Sequence, residues 1–247
     1  YLRSIWRRTT EREALLGIGL TGIASRKIKQ LDMIAAAQIA TIENERVANL
    51  IGINTASRVT TIKPSGTSSL VLGCSSGIHA WHSQYYIRRV RVGKNEDIYH
   101  YLAVNHPELV EDEYFRPHDT AVISIPQMAP IDALLRTESS TSLLERVKWF
   151  SQNWIKTGHK QGNNTHNISA TVSLKEFEWE DTGEWMWKNR QFYNGLSVLP
   201  YHGGIYKQPP FEECTEVEYK RMMETLKEVD LTKIIENEDN TNLSGEI

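Results

Sequence analysis

Short β-rich runs alternate with stretches of helical periodicity along this chain, and that alternation restricts the fold more than any other feature. The runs lie at 59–62, 85–92, 121–125, 168–174 and 195–199. Helical periods fill much of the space between them. The first, 28–53, carries Leu31, Ile34, Ala35, Ile39, Ile42, Val47 and Leu50 at spacings of three to five, which predicts one long, largely buried, alanine-rich helix. The others are 95–104, with Asn95 as expected cap and Glu96 and Asp97 in its first turn, then 141–157, 176–190 and 215–229. Within 141–157 the residues Leu143, Leu144, Val147, Phe150 and Trp154 make one stripe. Strands separated by helices of this length predict an α/β architecture with a mainly parallel sheet. No domain boundary or internal repeat is evident, and 236–245 reads as a polar, mobile tail.

Composition narrows the class. The 247 residues include 40% hydrophobic and 24% charged, with a net charge of −3. That is an ordinary globular balance without the basic excess of a nucleic-acid or membrane-surface binder. No apolar run reaches the roughly 18 residues of a membrane helix. The two cysteines, Cys74 and Cys214, fit no metal or disulfide framework, so a cytoplasmic setting is expected. The chain begins at Tyr1 and ends in Ser244-Gly245-Glu246-Ile247, from which we expect a piece of something longer.

Several motifs invite chemistry that their context does not support. Gly17-Ile18-Gly19-Leu20-Thr21-Gly22 matches G-x-G-x-x-G, but no convincing strand precedes it and Glu43 lies inside the helical pattern. A tightly packed strand-to-helix turn is the better reading. His79-x-x-His82 lacks a third ligand, so no metal site is expected. Neither cysteine has a histidine neighbour that would make it a nucleophile. Trp179, Trp185 and Trp187 read as core or subunit-face packing. Tyr85-Tyr86 followed by Arg88, Arg89 and Arg91 could aim cations at an anion or form a solvated strand face.

The segment TTIKPSGTSSL, 60–70, offers more. Pro64 suits a turn, Gly66 permits close approach or positive φ, and Ser65, Thr67, Ser68 and Ser69 suit a helix N-cap. A helix start presents unpaired N–H groups and partial positive charge that can hold a phosphate. The Walker A spacing is absent. On these residues alone, a phosphate cradle and an ordinary capped turn both remain open.

Taken with GIH at 77–79, YYIRRVRV at 85–92 and GLSVLPYHGGIYKQPPFEE at 195–213, this loop resembles the ribonucleotide reductases, best the monomeric adenosylcobalamin-dependent ribonucleoside-triphosphate reductases. The likeness runs in order from about residue 16 to 213, and GIGLTG resembles the glycine-rich segment before that family's long helix. It implies the second half of a ten-stranded α/β barrel over 1–235, with 236–247 as a tail. It implies that Pro64, Ser65, Gly66, Thr67 and Ser68 bind the phosphates of a ribonucleoside triphosphate. For the complete enzyme it implies adenosylcobalamin, a thiyl radical that abstracts the ribose 3′ hydrogen, loss of the 2′ hydroxyl as water, and a thioredoxin-type reductant. The family's Asn-x-Cys-x-Glu motif and its paired cysteines are missing here. No catalytic residue is therefore assigned in this chain, and it is expected to be inactive alone. The alternative is a split or relic half that binds nucleotide, or a missing N-terminal half, without chemistry. An unrelated α/β enzyme with a phosphate-cradling helix start is a further possibility.

Overall fold

The computed structural model describes residues 1–201 and 206–235. The expected tail, and His202 to Ile205 of the 195–213 motif, lie outside them. The named elements are α1 (Ser4–Glu13), α2 (Met33–Ile51), α3 (Ser68–Val71), β1 (Tyr85–Gly93), α4 (Asp97–Asn105), β2 (Val110–Asp112), β3 (Thr120–Met128), α5 (Ser140–Phe150), β4 (Thr171–Leu174), α6 (Trp179–Lys188), β5 (Ser197–Pro200), β6 (Phe211–Glu213) and α7 (Glu216–Thr225). They fall into two compact units, one of residues 1–81 and 130–201, the other of 82–129 and 206–235.

In the first unit the strands run parallel. β4 and β5 pair from Thr171↔Ser197 to Leu174↔Pro200. Single parallel bridges, Ile62↔Ile168 and Ile18↔Thr60, extend the arrangement through 59–62 to the glycine-rich segment. The run at 59–62 is therefore a bridged segment, not a full strand. α5 covers this layer, and its stripe of Leu143, Leu144, Val147 and Phe150 is buried as expected. A π-helical turn, Ser151–Ile155, carries Trp154 onto the same core. Each large side chain fully buried here contributes roughly 1.5–3 kcal/mol. The Trp154 indole N–H donates to the Thr61 carbonyl at 3.1 Å, and the Thr60 hydroxyl donates to the Trp154 carbonyl at 2.8 Å. These bonds hold 59–62 beneath the helix.

The second unit is a four-stranded antiparallel sheet in the order β2-β3-β1-β6. α4 and α7 accompany it, the latter opened by a capping box of Thr215 and Glu218. Expecting a mainly parallel sheet was thus half right. Alternation of helix and strand does not fix strand direction, and here β1 and β3 pair along their whole length antiparallel. No ten-stranded barrel is formed by the described residues; both sheets are small and unclosed.

Two helix expectations also change. α2 is not largely buried: Met33, Ala37 and Ala48 are, whereas Ile39, Ile42 and Leu50 are 65–75% exposed. Apolar spacing identifies a face but not whether anything covers it. α4 begins at Asp97 with Glu96, not Asn95, at the cap position, and no side chain caps it. α1 was not foreseen, because its sequence is dominated by Arg, Thr and Glu.

Candidate phosphate-binding loop

The chain leaves the buried 59–62 segment at Lys63 and Pro64 and turns through an exposed loop into α3. That helix has four residues. Thr67 stands at its cap position in helical conformation without a side-chain cap bond, so the expected N-cap chemistry is not what organises the loop. Gly66 does not need the left-handed region either. An added Cβ there would meet nothing within 4 Å, so this glycine leaves an open approach. The N–H groups of Gly66, Thr67 and Ser68 donate to no described residue, and the Thr67 and Ser68 side chains are exposed beside them. Lys63 forms no ion pair among the described residues. N–H groups without a partner among the described residues, flanked by exposed hydroxyl side chains, suit an oxyanion.

The loop rests on residues far away in sequence. The Ser65 N–H donates to Ser76 Oγ at 2.9 Å, and the Ser65 carbonyl accepts from the Ser69 N–H at 3.0 Å. Ser65 Oγ meets Thr21 Oγ1 at 2.5 Å. Thr21 also donates to the Ser75 carbonyl at 2.9 Å and accepts the Gly77 N–H at 3.1 Å. The Gly22 N–H adds a 2.8 Å bond to Ser75 O, and the Ala24 N–H a 3.1 Å bond to Ser75 Oγ. Gly77 has φ +54°, and an added Cβ would sit 2.6 Å from the Lys63 carbonyl oxygen. The glycine-rich segment, expected as a tight strand-to-helix turn, is bridged at Ile18 and followed by a 3₁₀ turn at Ile23–Ser25.

His79 ties this turn to β4. Its Nε2 accepts the Thr171 N–H at 3.0 Å, which puts the ring proton on Nδ1, facing the Ser76 carbonyl at 3.2 Å. Burial pushes its pKa below the ordinary imidazole value, and the Ser76 carbonyl only partly offsets that. No group of three potential ligands capable of holding a metal occurs among the described residues.

The remaining candidates have other uses. Arg89 pairs with Glu111 at 3.2 Å and with Glu212; Arg91 pairs with Glu113 at 3.3 Å; Arg88 lies over the Phe211 ring. These cations serve the antiparallel sheet. Trp185 is buried, its N–H donating to Glu145, while Trp179 and Trp187 are exposed. Cys74 is a half-buried free thiol with its sulfur 3.9 Å from Thr21 Oγ1. The Cys214 thiol is pushed up by burial and by Glu218, Glu212 and Glu213, the reverse of an activated nucleophile.

Sequence reasoning singled out Pro64 to Ser68 but did not foresee that Thr21, Ser75 and Ser76 fasten this loop. Thr21 was in view only as one residue of the GIGLTG segment, with no role of its own.

No model of a known protein family matches the chain. It is 28% identical over 203 residues to the probable adenosylcobalamin-dependent ribonucleoside-triphosphate reductase of Dictyostelium discoideum, covering 77% of this chain and 24% of that protein. It is 26% identical over 240 residues to the adenosylcobalamin-dependent ribonucleoside-triphosphate reductase of Euglena gracilis, covering 90% and 31%. The chain thus spans about a quarter to a third of the length of these relatives. Among solved structures, a B12-dependent (class II) ribonucleotide reductase superposes with a TM-score of 0.74 at 19% identity, over 90% of this chain and 34% of that one. In sequence the chain resembles one part of the adenosylcobalamin-dependent ribonucleoside-triphosphate reductases, and its fold is that of the corresponding part of a class II reductase.

Proposed function

We propose that this chain is the segment of an adenosylcobalamin-dependent ribonucleoside-triphosphate reductase that carries the substrate-phosphate loop. Residues 1–235 would form the C-terminal part of the catalytic barrel, and 236–247 a tail. The observation that carries the reading is the open loop Pro64, Ser65, Gly66, Thr67 and Ser68, in which the N–H groups of the exposed Gly66, Thr67 and Ser68 donate to no described residue. The loop sits in a chain that resembles these reductases over most of its length. A ribonucleoside triphosphate is the ligand this reading assigns to it. Charge-assisted bonds from such donors contribute about 1.5–3 kcal/mol each, enough to orient a polyphosphate.

The role is binding and placement. The Asn-x-Cys-x-Glu motif does not occur in this sequence; Cys74 and Cys214 are both free thiols, and burial with three nearby glutamates pushes the Cys214 thiol up. Reduction to the 2′-deoxyribonucleotide, a thioredoxin-type reductant and a cytoplasmic setting belong to the proposal for the longer enzyme. So does adenosylcobalamin.

Two exposed apolar surfaces agree with a part that packs against more protein. One is the outer face of α2, and the other is Leu70, Val71 and Leu72 beside the loop. The test is direct. The chain alone should form no deoxyribonucleotide from any ribonucleoside triphosphate with adenosylcobalamin and a dithiol; measurable product would sink the assignment of its chemistry to residues elsewhere.

A further inference from the structure

We infer that Thr21 is the positioning residue of the loop, and that it makes Ser65 an anchor instead of a phosphate donor. The inference rests on the phosphate-loop reading above. A threonine hydroxyl owns one proton and two lone pairs. We assign the Thr21 proton to the Ser75 carbonyl at 2.9 Å, which also accepts the Gly22 N–H at 2.8 Å. One lone pair takes the Gly77 N–H at 3.1 Å. Of the other contacts the Cys74 sulfur lies 3.9 Å away and Ser65 Oγ 2.5 Å, and in this assignment Ser65 is the donor to Thr21.

The proton of Ser65 therefore points inward, away from any ligand. Its backbone N–H is also spent, on Ser76 Oγ at 2.9 Å. Toward the open side Ser65 presents only lone pairs, which offer nothing to an ionised phosphate oxygen. Donation falls to the N–H groups of Gly66, Thr67 and Ser68 and to the Thr67 and Ser68 hydroxyls. Thr21 holds those donors in place by fastening the turn at Ser65 to the turn at Ser75–Gly77. A loop built this way selects a fully ionised oxyanion through its backbone, not through its first serine.

The experiment is calorimetric titration of inorganic tripolyphosphate into the full 247-residue chain and four variants, with melting temperatures recorded alongside. Thr21→Ser keeps the hydroxyl and should bind within about twofold of the unmodified chain. Thr21→Val keeps the shape and removes every hydrogen bond of the hydroxyl, so binding should weaken by more than about fivefold. Ser65→Ala breaks the same fastening, so added to Thr21→Val it should cost less than about twofold further. A smaller loss in Thr21→Val overturns the inference and leaves the loop reading standing. A further loss above about twofold in the double variant makes Ser65 a direct donor and likewise overturns it. If Thr21→Val does not fold, Ser65→Ala alone carries the test, and binding within about twofold of the unmodified chain overturns the inference. No binding by the unmodified chain removes both the inference and the reading beneath it.

Discussion

Changing Gly77 and Gly66 to alanine separates what the fold needs from what the loop offers. Both are glycines near the same loop and would gain the same methyl group. At Gly77 the backbone has φ +54°, in the left-handed region that costs an L-residue roughly 1–2 kcal/mol. The new Cβ would also lie 2.6 Å from the Lys63 carbonyl oxygen and 3.2 Å from its carbon, both backbone atoms. Relieving such an overlap by moving main chain costs typically 1–3 kcal/mol. Together Gly77→Ala should destabilise by about 2–5 kcal/mol, a large share of the roughly 5–15 kcal/mol that holds a domain folded. At Gly66 neither term exists, and alanine should fall within about 0.5 kcal/mol of the original. Urea unfolding followed by tryptophan fluorescence is the assay. All seven tryptophans, from Trp6 to Trp187, lie in the unit that contains the loop, so the signal reports that unit. A Gly77→Ala midpoint equal to that of Gly66→Ala would refute the reasoning.

Other expectations follow from the same contacts. His79 is held neutral below its ordinary pKa of 6.5, so just under that pH the unfolded chain binds more protons than the folded one. Its stabilisation is whole above 6.5 and drains as pH falls, and His166, also lowered by burial, adds to the trend. Melting temperature should drop between pH 7.5 and 5.5, and His79→Gln should flatten part of that drop; an unchanged slope would contradict it. Arg146 and Glu138 form a mostly buried pair with bonds of 2.5 and 2.9 Å. Glu138→Ala strands the buried guanidinium and should cost about 3–5 kcal/mol, read from the same urea curves. Glu178 accepts N–H bonds from Ser140 at 3.0 Å and Lys175 at 2.9 Å, so Glu178→Ala should leave two orphaned donors and lower the melting temperature by several degrees.

The sequence made some of this legible and concealed the rest for identifiable reasons. The stripe through Leu143, Leu144, Val147, Phe150 and Trp154 states its own burial, because a helix repeats at a fixed interval whatever it packs on. β1 was found nearly to its ends for a similar reason, since β-branched and aromatic runs have little alternative, while β3 was found over 121–125 and runs on through Pro126 to Met128. Direction was hidden, since a strand paired antiparallel reads like one paired parallel. The burial of α2 was overstated because spacing reveals a face and says nothing of its cover. At the loop, the residue types of Pro64 to Ser68 were visible. The short α3 and the cap-free Thr67 were not, because they depend on how the loop is fastened from below. That fastening joins Thr21 to partners 44 to 56 positions away, and no local pattern encodes such a contact.

The central claim is that the open side of 64–68 holds a nucleotide's phosphates, and Gly66→Val tests it most directly. The substitution enters free space, so the fold should survive while a branched side chain blocks the approach to the three unused N–H groups. We would titrate a ribonucleoside triphosphate, with inorganic tripolyphosphate as control, into the original chain and the variant. The account predicts binding by the original chain, at least about tenfold weaker binding by Gly66→Val, and equal melting temperatures. Equal affinity in the two proteins, or binding by neither, would contradict it.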